Sequence, residues 1–294
     1  MLSFKVGAEG RFFLSIHPTL RCPCGELQTT NSMEYRQRPL GETAFELGSG
    51  QYFRGFRSCD TCSHFFGWHD LDLKDIYRGN YSDSTYGAEI TANYERIMSL
   101  PPERSDNSGR VDRINAFMTG RVKLDEPRNL LDVGSGLGVF PARMWQLGWT
   151  CTIIDPDQRA VDHSVAKFEA IGVQGEFLEV CGQLEGNYDL VSFNKVLEHL
   201  EDPSEVLAPV HELLVPTGIL YVEVPDGVGA ETAGPDREEF FVEHHHAFSA
   251  ESLAGLLHRG GFTVLQLETL IEVSGKFTLC AFAQRSRSTN TQRS

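Results

Sequence analysis

Residues 129–157 read NLLDVGSGLGVFPARMWQLGWTCTIIDPD, and this stretch constrains the fold more than any other. An apolar run ends in three glycines within five residues, Gly134, Gly136 and Gly138. A helix-like segment follows, and a second apolar run closes on Asp155. Glycine at that density costs backbone entropy, so it marks a place where the chain turns sharply or where a ligand approaches the main chain. The pattern predicts a buried strand, a glycine loop and a helix beginning near Phe140 whose first amides point back at the loop. A second strand then delivers a carboxylate that can accept from both hydroxyls of a ribose.

The alternation continues from about residue 128 onward. NLLDVG, TCTIID, GEFLEV, YDLVSFN, GILYVEV, TVLQLE and FTLCAFA read as strands. VFPARMWQLG, QRAVDHSVAKFEAIG, SEVLAPVHELLV and SAESLAGLLHRGG read as helices. Strands and helices at this spacing predict βαβ units, a mainly parallel sheet and an α/β fold. Upstream, GAEITANYERIMSL and GRVDRINAFMTGRV read as helices, with PPERSDNSG between them as a loop. No internal repeat is present, and the tail QRSRSTNTQRS is polar and reads as disordered.

A dinucleotide site is the obvious rival for the glycine loop. Its fingerprint is G-x-G-x-x-G, and here Val139 stands where the last glycine belongs. Asp132 also opens the loop. A carboxylate there repels a pyrophosphate and suits a ligand that carries an ammonium or sulfonium.

LDVGSGLG followed by IIDPD and by VCGQLEGNYDLVSFNKVLEHLEDP resembles the ordered motifs of class I S-adenosylmethionine-dependent methyltransferases. The resemblance spans about residues 115–285. It implies a Rossmann-like seven-stranded sheet with helices on both faces. It also implies cofactor roles. Asp132, Gly134, Ser135 and Gly136 would surround the amino-acid end, and Asp155 would bind the ribose. Pro156 would pack on the adenine, with Cys181, Gly182 and Gln183 bordering it at the end of a strand. Asn194 and Lys195 would lie beside the methionine part. VLEHLEDP is similar to the same region of the ubiquinone-type and sugar-modifying branches.

Four of the seven cysteines fall before residue 70. RCPCGEL supplies Cys22 and Cys24, and SCDTCSHFF supplies Cys59 and Cys62. Two close pairs fit a four-cysteine zinc ribbon, in which the closed thiolate shell makes the zinc structural. The first pair is C-x-C rather than C-x-x-C, a tighter knuckle. His64 or His17 could replace one thiolate, and two cysteine pairs without metal are the alternative. Cys151, Cys181 and Cys280 fall in or beside predicted strands and read as core residues. An N-terminal ribbon before such a domain resembles the sugar C-methyltransferases that act on nucleotide-linked deoxysugars.

FFVEHHHAFS, residues 240–249, places three histidines before a helix start. Histidine suits proton transfer near neutral pH. The segment is similar to one in the sugar C-methyltransferases that holds a tyrosine, a glutamate and a histidine. Glu243 and His244 match the last two, making His244 the candidate base. The tyrosine position holds Phe241, which has no proton to give. His199 is a third catalytic candidate. His245 and His246 are lesser candidates for the same role, the alternative for His246 being to cap or pack beneath the helix that Ser249 begins. Tyr77, Tyr81, Tyr86 and Tyr94, with Asn107 and Arg110, are candidate substrate contacts, Arg110 facing a diphosphate or else lying at the surface.

The expected organisation is a zinc-binding ribbon over 1–70, a helical connecting region over 71–125, a cofactor-binding catalytic domain over 126–285 and a disordered tail over 286–294. A net charge of −15 argues against nucleic acid as a partner. No apolar run approaches the roughly 20 residues a membrane span needs, and the first residues lack the features of a signal peptide. The expectation is a cytoplasmic enzyme that methylates a sugar, with a nucleotide sugar as its small-molecule partner. Methylation of oxygen or nitrogen in a natural product or quinone-like acceptor is one alternative. An inactive cofactor-binding shell with a docking ribbon is the other. The sequence carries no signal for oligomeric state.

Overall fold

A computed structural model describes residues 22–25, 29–42, 52–69, 89–121 and 128–286. His17, Tyr77, Tyr81, Tyr86 and the tail beyond 286 lie outside the described residues. The chain forms two sheets. The first begins with β1 (Thr29–Tyr35), β2 (Arg54–Cys59) and β3 (Phe65–His69), each antiparallel to the next. Two helices follow, α1 (Ile90–Met98) and α2 (Asp106–Met118). The predicted loop PPERSDNSG therefore ends early. The Ser105 hydroxyl accepts from the amide of Ser108, which makes it the N-cap, and residues 106–109 form the first turn of α2.

The second sheet contains β4 (Arg128–Val133), β5 (Trp149–Asp155), β6 (Ile171–Gln174), β7 (Tyr188–Asn194), β8 (Leu214–Pro225), β10 (Phe262–Ile271) and β11 (Phe277–Arg285). Their order is β10-β11-β8-β7-β4-β5-β6. The pairs from β6 through β8 are parallel, and β11 is antiparallel to both its neighbours. The expected seven-stranded α/β sheet is present. GEFLEV, read as a strand, is instead α5 (Phe177–Val180), and the strand of that unit is the preceding IGVQ. β11 runs to Arg285, two residues into the polar stretch read as tail.

Both faces of this sheet are buried, because the strands carry apolar residues at odd and even positions alike. Leu130, Ile153 and Leu190 pack in one cluster with α2, α3 (Val139–Gln146) and α4 (Gln158–Phe168). Leu131, Ile154, Val191 and Phe193 pack on the other face with α6 (Leu207–Leu213) and α8 (Ala250–Arg259). Cys151 and Cys280 belong to the first cluster, and Cys181 packs at the edge of the second. α7 (Gly227–Ala233) follows β8. Strand order reverses at β4, which has β5 on one side and β7 on the other. Such a reversal opens a crevice beyond the strand ends.

One short strand crosses between the two parts. β9 (His246–Ala247) pairs with β3, so the first sheet reads β1-β2-β3-β9. His246 and Ala247, at the end of the histidine segment, therefore join the N-terminal sheet rather than the seven-stranded one.

Candidate active site

A cavity of about 840 Å³ lies at the crevice. Gly134 and Gly136, Asp155 and Pro156 line it, with Asn194 and Lys195 at the end of β7. The glycine loop is pinned to β5: the amides of Gly134 and Ser135 donate to the carbonyl of Ile154, at 2.8 and 3.2 Å. Gly134 has φ +71, and a Cβ there would sit 2.6 Å from Val196 Cγ2. A side chain at this position would meet both strain and a wall.

Asp155 is buried, and each of its oxygens accepts one backbone amide. Oδ2 takes that of Gly136 at 2.8 Å and Oδ1 that of Asp157 at 2.9 Å. A carboxylate offers about four acceptor positions, so capacity remains for a diol. Burial pushes its carboxyl up to about 6, against those two amides. Asp132 lies behind the cavity wall. Its Oδ1 accepts from Ser192 Oγ at 2.7 Å and from Asn194 Nδ2 at 2.8 Å. Burial pushes the Asp132 carboxyl up to about 7. The Asn194 amide is oriented by this contact, and its Oδ1 is buried with no partner among the described residues. An acceptor left open on the wall of a glycine-cradled cavity fits the ammonium of an amino-acid ligand. Thus the residues present fit S-adenosylmethionine. Ser135, whose hydroxyl is buried without a partner among the described residues, is part of the loop but not of the cavity lining.

The strand expected to end before Cys181 is a helix. Cys181, Gly182 and Gln183 form a 3-10 turn after a helix, not after a strand, and do not line the cavity. Glu176, Phe177 and Leu178, at the start of α5, line it instead. Only the mistaken strand reading hid them.

The far side of the cavity holds the proton-transfer candidates. His199, Glu243 and His244 all line it, with Glu198 and Phe241. The His199 ring bonds through Nδ1 to the carbonyl of Glu243 at 3.0 Å, and the His244 ring through Nδ1 to the carbonyl of Glu239 at 3.0 Å. A carbonyl only accepts, so both Nδ1 atoms carry the proton and the lone pair of each neutral ring is on Nε2. The rings meet edge to face, 5.0 Å between centroids. Burial pulls His199 down to about 4 and His244 well below 6.5, so both are neutral near pH 7. Burial pushes Glu198 up to about 8 and Glu243 up to about 7. Ligand atoms of Glu198, His199 and His244 lie within 4.8 Å of one another, a spacing that a bound cation could bridge.

Lys195 adopts φ +58 and bonds through Nζ to Thr278 Oγ1 at 2.8 Å. Lys276 lines the same cavity, as does Gly41 from the N-terminal part. Neither carries a motif that a sequence reading could have found. Arg110 does not face a ligand: it forms a buried ion pair with Glu223, strengthened by Asn107 Oδ1 at 2.8 Å. Tyr94 is buried in the core against His163.

Cys22, Cys24, Cys59 and Cys62 converge, their Sγ atoms all within 4.8 Å. Neighbouring sulfurs are 3.2, 3.4 and 3.7 Å apart, and all four are thiols. Tetrahedral zinc with bonds of about 2.3 Å sets its sulfurs about 3.8 Å apart, so this cluster fits one. His64 is not a member of it. Its Nδ1 meets Ser252 Oγ and its Nε2 meets His246 Nδ1, each at 3.0 Å. His246 is buried and bonds to His64 through Nδ1 and to the carbonyl of Glu201 through Nε2, while the α8 cap is Ser249 in a capping box with Ser252.

No helix among the described residues is long and apolar enough to cross a membrane. The fold is that of class I methyltransferases. Magnesium protoporphyrin IX methyltransferase from Synechocystis PCC 6803 with bound SAH is 16% identical, with a TM-score of 0.54 over 73% of this chain and 98% of that one. In sequence, the ubiquinone biosynthesis O-methyltransferase of Caulobacter sp. (strain K31) is 32% identical over 108 residues, 35% of this chain and 42% of that protein. Its Escherichia coli O7:K1 counterpart is 32% identical over 162 residues, 51% of this chain and 65% of that protein. The chain thus matches less than two thirds of the length of either relative. Residues 104–267, more than half of the chain, match the methyltransferase domain family, and the chain belongs to it.

Proposed function

We propose that the chain transfers a methyl group from S-adenosylmethionine to a small-molecule acceptor that must first give up a proton. The observation that carries this is the pair of neutral imidazoles, His199 and His244, each fixed by a main-chain carbonyl in the cavity that also holds Asn194 and the glycine loop. The bound cofactor supplies a methyl already activated on a sulfonium. The chain's work is therefore alignment, exclusion of water and removal of the acceptor proton. Asn194, Gly134 and Gly136 hold the amino-acid end, with Ser135 bracing the loop. Asp155 holds the ribose, while Pro156 and Glu176–Leu178 border the adenine. His244 takes the proton, its ring held by the Glu239 carbonyl and packed against His199, whose own ring the Glu243 carbonyl fixes. Cys22, Cys24, Cys59 and Cys62 hold a structural zinc. Four thiols without a disulfide suit a reducing compartment such as the cytoplasm.

The acceptor we propose is a hydroxyl on a nucleotide-linked sugar. Lys195 and Lys276 are on the cavity wall, bonded to Thr278 and Glu238, and would turn from those partners to a phosphate on the ligand. Phe241 lines the cavity without a proton to give, which favours a hydroxyl over a carbon that needs its enolate oxygen protonated. A quinone-like ring hydroxyl is the second reading, favoured by the names of the relatives. Labelled S-adenosylmethionine incubated with nucleotide sugars, their keto forms and catechol-type hydroxyls separates the two. Transfer to none of them, with no cofactor binding by calorimetry, would leave only an inactive shell.

A further inference from the structure

We propose that Arg54 and Glu42 are positioning residues for the reaction and that the N-terminal sheet is a built half of the active site. The proposal rests on the assignment of His244 and His199 to proton transfer. The histidine segment is tied to the end of β8 and to the turn at Glu198–Glu201, and equally to the N-terminal sheet. Arg54 is 1% exposed and donates through NH1 to the carbonyl of Phe240 at 2.7 Å. Its NH2 pairs with Glu42, itself buried, and the same Glu42 accepts from the amide of Val242 at 2.9 Å. The guanidinium also lies 3.9 Å over the ring of Tyr35. One ion pair thus grips main-chain atoms on both sides of Phe241.

The other end of the segment is gripped by β3. Phe65 and Phe66 pair with Ala247 and His246, and the amide of Gly67 donates to the carbonyl of His245 at 2.8 Å. The approach is so close that a Cβ on Gly67 would sit 2.5 Å from the carbonyl oxygen of His244. From there the amide of His245 donates to the carbonyl of Glu198 at 2.8 Å, which fixes the turn that carries His199. Glu243 and His244 therefore lie between two attachments to residues 42–67, and are bonded as well to the turn at Glu198–His199 through the Glu243 carbonyl and the His245 amide.

Nothing in the methyl-transfer chemistry needs a buried arginine 186 residues from the carbonyl it holds. A buried ion pair is weak evidence for stability, and its best-attested use is to specify one arrangement. Here the arrangement specified is the main chain that carries the base. Misplacing a catalytic group by about 1 Å costs about 100-fold in rate, which sets the size of the expected effect.

The test uses the full chain with its metal. Arg54→Lys keeps the charge and loses the fork. Gly67→Ala leaves every buried charge in place and pushes on the His244 carbonyl. For each, hydrogen–deuterium exchange is read on the peptides covering 240–247 and 130–136, S-adenosylmethionine affinity by calorimetry, and kcat alone and combined with His244→Ala. Expected are faster exchange at 240–247 only, cofactor affinity within about twofold, and kcat lower by about 10- to 100-fold. Adding either substitution to His244→Ala is expected to cost almost nothing further, because both act through the same ring. Unchanged exchange at 240–247, or losses that multiply in the double variants, would overturn the proposal. If His244→Ala leaves kcat intact while exchange still rises, the base assignment falls instead and the clamp stands as structure alone.

Discussion

Asp132→Asn separates the stability of the fold from the fitness of the cofactor pocket. Burial raises the Asp132 carboxyl from 3.8 to about 7 in the folded chain, although Ser192 and Asn194 both donate to it. An acid whose folded pKa is raised costs stability above its unfolded pKa. The cost is absent near pH 3, grows between pH 4 and 7 and is constant above that. Three units correspond to about 4 kcal/mol, an upper limit for this group. The amide removes the charge but must rearrange its contacts, so the expected net gain is about 1–3 kcal/mol at pH 8 and none at pH 4. At roughly 2–4 °C per kcal/mol, the melting temperature rises by several degrees at pH 8. The difference between variant and wild type is the quantity to follow. His199 and His244, whose folded pKa values are depressed, impose the opposite slope on both proteins below pH 6.5. The same change damages the pocket. The amide keeps its Oδ1 as acceptor for Ser192 and Asn194, but its NH2 takes the place of the other carboxylate oxygen and the negative charge behind the ammonium site is gone. Weakening a charge-assisted contact to an ordinary one costs about 1–2 kcal/mol, or about 5- to 30-fold in affinity for S-adenosylmethionine. Thermal melts from pH 4 to 9 and calorimetry read the two effects separately. A stability difference that does not grow with pH, or wild-type affinity in the variant, refutes the reasoning.

His244→Ala is expected to lower kcat by about 100-fold or more while cofactor affinity stays within about twofold; equal turnover in a labelled-methyl assay removes it as base. Because burial holds His199 at about 4 and His244 below its ordinary range, neither imidazole should give an acid limb at 6.5 in a pH–kcat profile; a limb between pH 6 and 8 would come from the buried carboxyls, Glu243 at about 7 among them. An acid limb centred at 6.5 that persists in Glu243→Gln but vanishes in His244→Ala would contradict that. Cys62→Ser should release zinc, read as metal per chain by elemental analysis, and lower the melting temperature; full zinc content in the variant would place the metal elsewhere. Leu131→Ala removes a fully buried side chain from the sheet centre and should cost about 2–5 kcal/mol in denaturant titration; a cost under 1 kcal/mol would show that the site collapses freely.

The parts of the fold that were legible in the sequence are those set by local spacing. The strands β4, β5, β7, β8, β10 and β11 announced themselves as apolar runs, and the glycine loop fixed the crevice between two of them. β6 did not, because IGVQ is an edge strand with three of its four side chains exposed and so needs no apolar pattern. The neighbouring GEFLEV looked like the strand, yet Phe177 and Val180 are the buried pair in it, and a spacing of three belongs to a helix. Arg110 misled for another reason. Nothing in SDNSGRVDR shows that Glu223, far along the chain, will pair with it in the core. A charge partner at that separation has no local signature.

The two halves of the cavity differ in the same way, and the difference bears on what can change. The cofactor side comes mostly from consecutive βα units, so its geometry follows from a few short stretches and from main-chain bonds such as that of Gly136 to Asp155. The acceptor side is drawn from Gly41, the turn at Glu198–Glu201, the segment Glu238–His244 and Lys276–Phe277. No single stretch encodes it, and its histidine segment is seated on a different sheet from the cofactor loop. Substitutions at Phe241 or Lys276 can therefore alter which acceptor is held without touching Asn194, Asp155 or the glycine loop. Acceptor preference is expected to shift there while affinity for S-adenosylmethionine stays constant, whereas the glycine loop, hemmed by Val196 and by the bonds to Ile154, has no such freedom.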